Sequence, residues 1–110
     1  MAEKKGVALG EALNLANLAG YQDGAVVSRT VIDKPVGTIT AFAFDAGEGL
    51  SEHTAPYDAF VQVLDGDAEV NIDGKAHNVT AGEIIIMPAN IPHSLRAVKR
   101  FKMLLVMIRA

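Results

Sequence analysis

The dipeptide Asp73-Gly74 constrains the fold more than any other pair in the chain. It follows Ala68-Glu69-Val70-Asn71-Ile72, where apolar and polar residues alternate as on a strand with one buried face. Asp-Gly accepts the positive φ angles of a two-residue type I′ turn, whose twist matches that of paired strands. The turn fixes the register: Ile72 faces Lys75, Val70 faces His77 and Ala68 faces Val79. A hairpin specified this sharply points to antiparallel β structure.

The rest of the chain supports that reading. Strands are expected over 25–32, 38–44, 60–64, 83–87, 93–97 and 101–108, the first four followed by Asp or Pro. Asp33-Lys34-Pro35 breaks the first, and Lys99-Arg100 reads as the turn before the last. With the hairpin these make about eight short strands, the pattern of an antiparallel sandwich or barrel. Leu9, Leu13 and Ala16 recur at helical spacing over 9–19, and Gly20 is a stop, so one short helix is expected there as a cap on a barrel end. Residues 1–24 are read as an N-terminal segment and 25–110 as the barrel. The strand over 38–44, with Ile39, Phe42 and Phe44, and the final strand are apolar on both faces, which predicts a homodimer with strand faces packed across the interface.

Composition removes several classes of function. Half of the 110 residues are apolar, enough for one core. The net charge is −3, and the ten basic residues form no long run, which argues against a nucleic-acid partner. The absence of cysteine excludes disulfides, thiolate ligands and thiol nucleophiles. No apolar run approaches the roughly 20 residues of a membrane span, and Met1–Gly6 lacks the apolar stretch of a signal peptide. The expectation is a cytoplasmic protein without a membrane partner. No phosphate loop, serine elbow or carboxylate pair is present.

Two histidines stand forty positions apart in frames of glycine and proline. The first frame holds Gly47, His53, Pro56 and Gly66; the second holds Gly82, Pro88, Pro92 and His93. These frames resemble the paired motifs of the cupin family, G-x5-H-x-H-x3-E-x6-G and G-x5-P-x-G-x2-H-x3-N. Gly47, His53, Gly66, Gly82, Pro88 and His93 fall at the family's offsets, with the hairpin between them. The resemblance spans roughly residues 36 to 108. It implies an all-β, double-stranded jelly-roll β-barrel with the short helix in front.

The family's metal site takes two histidines and a glutamate from the first motif and a histidine from the second. Inward-pointing imidazoles and carboxylates on adjacent strands suit Zn, Mn, Fe or Ni. Here His53 and His93 match, but the second histidine is replaced by Ala55 and the glutamate by Ala59. The motif-two glycine is Asn90, which tolerates positive φ, and the closing asparagine is Ala97. His53 and His93 are thus candidate ligands for one divalent transition metal, with metal-free operation as the other reading. Glu52, Asp58 and His77 are candidate additional ligands. Glu52, Asp58 and Gln62 are one residue off the inward parity of a strand, and His77 shares the hairpin face of Val70.

His53, His93 and Tyr57 are the candidate catalytic residues, the pair for acid–base work and Tyr57 as an acid beside Pro56. Met87, Met103 and Met107 are candidates to line an apolar ligand cavity, and Arg29 and Arg96 to hold a ligand carboxylate. Two functions follow from the resemblance. One is a small-molecule-binding barrel with a reduced two-histidine site. The other is a cupin-type enzyme of the isomerase, decarboxylase or dioxygenase class using His53 and His93.

Overall fold

The structure, a computed structural model, describes residues 2–109. Among the described residues there are nine strands: β1 (Ala2–Lys5), β2 (Val26–Lys34), β3 (Gly37–Phe44), β4 (Gly49–His53), β5 (Ala59–Ile72), β6 (Lys75–Thr80), β7 (Ile84–Met87), β8 (His93–Arg96) and β9 (Phe101–Ile108). The long β5 replaces the two short strands expected at 60–64 and 68–72.

β5 joins the two layers of the barrel. Its first half pairs with β7 over Ala59–Gln62 and with β9 over Ala59–Gly66. Its second half pairs with β6 over Asp67–Ile72 and with β8 over Glu69–Ile72. The register slips between Val63 and Asp65, and Gly66 follows with φ 72°. A bulge and a left-handed residue let one strand turn a corner between two sheets. One sheet then runs β1-β2-β3-β9-β5-β7, and the other β4-β8-β5-β6.

The hairpin has the register read from the sequence, with Ile72 opposite Lys75, Val70 opposite His77 and Ala68 opposite Val79. Asp73 and Gly74 take φ 52° and 78°, as a type I′ turn requires. Between the sheets lies the core, including Phe44, Val61, Val63, Val70, Phe101 and Met103. Phe44 and Phe101 stack at 4.4 Å between ring centroids. Phe42 and Phe44 both point inward. The alternate residues of β3, Ala41 and Ala43, are covered by Leu18, Ala19 and Tyr21 of the same chain.

The helix expected over 9–19 does not form. The segment contains one 3₁₀ turn, Leu15–Asn17, capped by the Asn14 side chain on the Ala16 N–H. Gly10 takes φ 73°, outside helical space, and Leu9 is 89% exposed, so its apolar stripe has nothing to pack against. A helix this short is marginal in water without packing.

Candidate functional site

β4 and β8 pair antiparallel, and the ladder sets His53 directly opposite His93 after an irregularity between Leu50 and His53. The ring centroids are 4.4 Å apart, the planes are inclined by 77°, and the two Nε2 atoms lie 3.1 Å apart. Each ring turns its other nitrogen to a backbone carbonyl two residues back. His53 Nδ1 lies 2.6 Å from the Ser51 oxygen, and His93 Nδ1 lies 3.2 Å from the Ile91 oxygen. A carbonyl accepts, so both Nδ1 atoms donate.

The environments of the two rings differ. His93 is 3% exposed, whereas His53 is open to solvent. Burial holds the His93 imidazole below the ordinary histidine value; neighbouring His53 pushes the same way, and the Ile91 carbonyl opposes both.

The loops that carry the rings are tied to one another. Asn90, at φ 62°, supplies the turn where the family has glycine, and its N–H donates to the Ala55 oxygen at 2.7 Å. The Ala89 N–H donates to the Asp58 carboxylate at 2.8 Å. Both bonds join the loop after β4 to the loop after β7, so the two frames close together. Pro88 and Pro92 flank the second loop and restrict its φ angles.

Beneath the pair lies a cavity of about 260 Å³. Its walls include Leu50, Ala59, Leu95, Met103 and Met107, with Thr54 and Tyr57 beside the histidines. Ala59 stands opposite Met87 on β7 and opposite Met107 on β9. All three methionines singled out in the sequence line this cavity. The Arg109 guanidinium lies 6.0 Å from the Tyr57 ring centroid, over its face.

The other sequence candidates lie elsewhere. Asp58 is engaged by the Ala89 N–H, and Glu52 is exposed. His77 lies in a separate cleft with Asp67, Glu69 and Lys99. Arg29 donates to the Gly6 and Leu18 carbonyls and holds the N-terminal segment. Arg96 is exposed on β8. Sequence reasoning missed Leu50, Leu95 and Leu105 in the wall, although the inward parity of Leu95 and Leu105 on their expected strands was an available signal. It also missed the Ser51 and Ile91 carbonyls, for which a sequence carries no signal.

A metal ion of the family's kind is tested by this donor set. The Nε2 pair, with both Nδ1–H groups anchored on carbonyls, suits two neighbouring positions on one ion. The residues where the family places its other two ligands, Ala55 and Ala59, have no donor atoms. No cluster of three or more His, Cys, Asp or Glu is found among the described residues. The four-ligand centre does not fit this chain.

Two-histidine frames, a long strand that turns between sheets and a cavity beneath the rings define a cupin barrel. The chain belongs to the cupin family: the model of the cupin domain matches residues 41–109. It is similar to a conserved protein from Streptococcus pyogenes, at 35% identity and TM-score 0.91, covering 100% of this chain and 96% of that one. It also resembles a cupin 2 conserved barrel domain protein from Leptotrichia buccalis, at 43% identity and TM-score 0.85, over 87% of this chain and 47% of that one. Among curated proteins, polyketide synthase CurC of Streptomyces cyaneus is 38% identical over 53 residues. That match takes in 47% of this chain, which spans about a third (34%) of the relative's length.

Proposed function

We propose that this cupin binds a small, largely apolar molecule in the cavity beneath His53 and His93. One observation carries the reading: an apolar cavity of about 260 Å³ is lined by both histidines and by no Asp, Glu, Lys or Arg. Taking a water's share of liquid volume as roughly 30 Å³, the space is that of about nine waters, enough for a small organic molecule. Apolar walls supply affinity, and the polar end fixes orientation. Tyr57 and Thr54 line the same cavity. Fragment binding followed by NMR tests the reading. Small aromatic fragments are expected to shift the methyl signals of Met87, Met103 and Met107 together. Shifts confined to surface residues would refute it.

The 3.1 Å Nε2 separation favours a second reading, in which His53 and His93 would hold a divalent metal whose other ligands would come from water or substrate. Such an ion would supply Lewis-acid polarisation of a ligand oxygen for an isomerase-, decarboxylase- or dioxygenase-type reaction. Metal analysis of untagged protein separates the readings. Substoichiometric metal is expected. A stoichiometric metal lost in both His53→Ala and His93→Ala would establish the second reading instead.

A further inference from the structure

A groove of about 570 Å³ runs along the outer side of β7, β5 and β9, lined by Phe60, Ile86, Val106 and Ile108. It shares two lining residues with the inner cavity, Pro56 and Tyr57. Elsewhere a sheet stands between the two spaces. Successive residues of a strand face opposite ways, so Met87, Ala59 and Met107 line the cavity while Ile86, Phe60 and Val106 line the groove. β5 begins at Ala59, β7 ends at Met87 and β9 ends at Ile108. Past these ends the sheet gives out, and Pro56 and Tyr57 form the partition.

The backbone is pinned on both sides of that partition. The Ala55 oxygen accepts from the Asn90 N–H at 2.7 Å, and the Asp58 carboxylate accepts from the Ala89 N–H at 2.8 Å. Proline fixes its own φ, which leaves the half-buried Tyr57 side chain as the adjustable part. The Arg109 guanidinium lies over the Tyr57 ring, 6.0 Å from its centroid, and a cation in that position restrains the ring. Arg109 is itself tied down. Its backbone N–H donates to the Val36 oxygen at 2.7 Å, and its guanidinium donates to the Lys34 oxygen at 3.2 Å. Resting on the small-molecule reading above, we propose that Tyr57 determines ligand size: its ring is the stop that confines the bound molecule to the inner cavity and shuts it off from the outer groove. The ring acts by bulk, not through its hydroxyl. Replacing it by a methyl group opens the partition, because the anchored backbone on either side stays in place. Uncharged apolar chains are the ligands that gain, since the walls on both sides of the ring are mainly aliphatic and aromatic.

Titration calorimetry with straight-chain alcohols from butanol to decanol tests the proposal. Each methylene buried adds about fourfold in affinity. Wild type is expected to follow that rise over the short alcohols and then to gain nothing from further methylenes. In Tyr57→Ala the rise should run on over at least about two more methylenes, so that decanol binds at least about tenfold more tightly than it does to wild type. Tyr57→Phe keeps the bulk and should break off where wild type does. An unchanged break in Tyr57→Ala would overturn the inference, as would an unbroken rise to decanol in wild type; either result leaves the cavity reading standing. Tyr57→Phe behaving like Tyr57→Ala would overturn it by giving the role to the hydroxyl. Loss of butanol binding in Tyr57→Ala would mark a damaged barrel, and Tyr57→Leu then takes its place with a smaller gain expected and the same unchanged break overturning. If wild type binds none of the alcohols and the methyl signals of Met87, Met103 and Met107 stay silent, the cavity reading falls and this inference falls with it.

Discussion

At Gly66 the chain leaves one sheet for the other with φ at 72°, and a Cβ there would collide with the Arg100 carbonyl oxygen. Backbone, not a flexible side chain, stands in the way. Gly66→Ala is therefore expected to lose about 1–3 kcal/mol from backbone strain alone, read as a lower urea midpoint at unchanged slope; an unchanged midpoint would show that the corner adapts. His93 sets a pH dependence at the same scale. Its folded value is depressed from the ordinary 6.5, chiefly by burial. The unfolded chain thus binds more protons than the folded one in this region, and stability rises with pH. The contribution is fully present above 6.5 and is lost as pH falls through the folded value. Urea unfolding between about pH 5 and pH 8, the range where histidine alone ordinarily titrates, should show this slope, and His93→Gln should flatten it. A slope unaltered in the variant would assign the dependence to other groups.

The N-terminal segment shows how one element is held without regular structure of its own. Tyr21 donates its hydroxyl to Asp65, and burial followed by that carboxylate pushes the phenol up. Lys102 Nζ donates to the Ala16 oxygen at 2.6 Å. Arg100 pairs with both Asp23 and Asp45, but Asp23 is 96% exposed and Asp45 only 17%. Asp45 also accepts from the Gly24 N–H at 2.6 Å, and the Arg100 hydrogen bond is the largest cause holding its carboxyl below the usual range. An exposed pair contributes little, so Asp45→Ala should lower the melting temperature clearly more than Asp23→Ala. Equal drops would refute that ranking. Local chemistry made parts of this architecture legible in sequence: the Asp73-Gly74 turn fixed a register, and Phe101–Ile108 announced a strand. The two histidine frames identified the barrel, and the fold sets their rings side by side. The segment over 9–19 misled because a helical stripe needs a partner, and the chain instead lays Leu18, Ala19 and Tyr21 over β3. β4 was invisible because Gly49-Leu-Ser-Glu-His53 has a single aliphatic residue and owes its strand form to pairing with β8. The cavity was half legible, since methionine positions can be read but wall closure depends on how β5 bends.

For the molecule as a whole, the expected homodimer narrows to one face. Phe42 and Phe44 turned inward, and Ala41 and Ala43 are covered by the chain's own N-terminal segment, so neither calls for a partner. What stays open is the outer side of β7, β5 and β9. Ile84, Ile86 and Ile108 there are 53%, 45% and 64% exposed, and Phe60 and Val106 join Ile86 and Ile108 along one shallow groove. Contiguous exposed apolar surface of this kind marks a contact site. A patch of β-branched and aromatic side chains can meet its own copy across a two-fold axis without pairing like charges. We therefore propose a homodimer through this face. Light scattering at micromolar concentration should give twice the chain mass, and Ile86→Asp should give the monomer by placing a charge at the centre of the contact. The cavity lies on the inner side of the same strands, where Ala59, Met103 and Met107 point away from the face. Binding of small aromatic fragments in the cavity should accordingly survive in the Ile86→Asp monomer. A monomeric wild type would remove the dimer, and a dimer unaffected by Ile86→Asp would move it to another face.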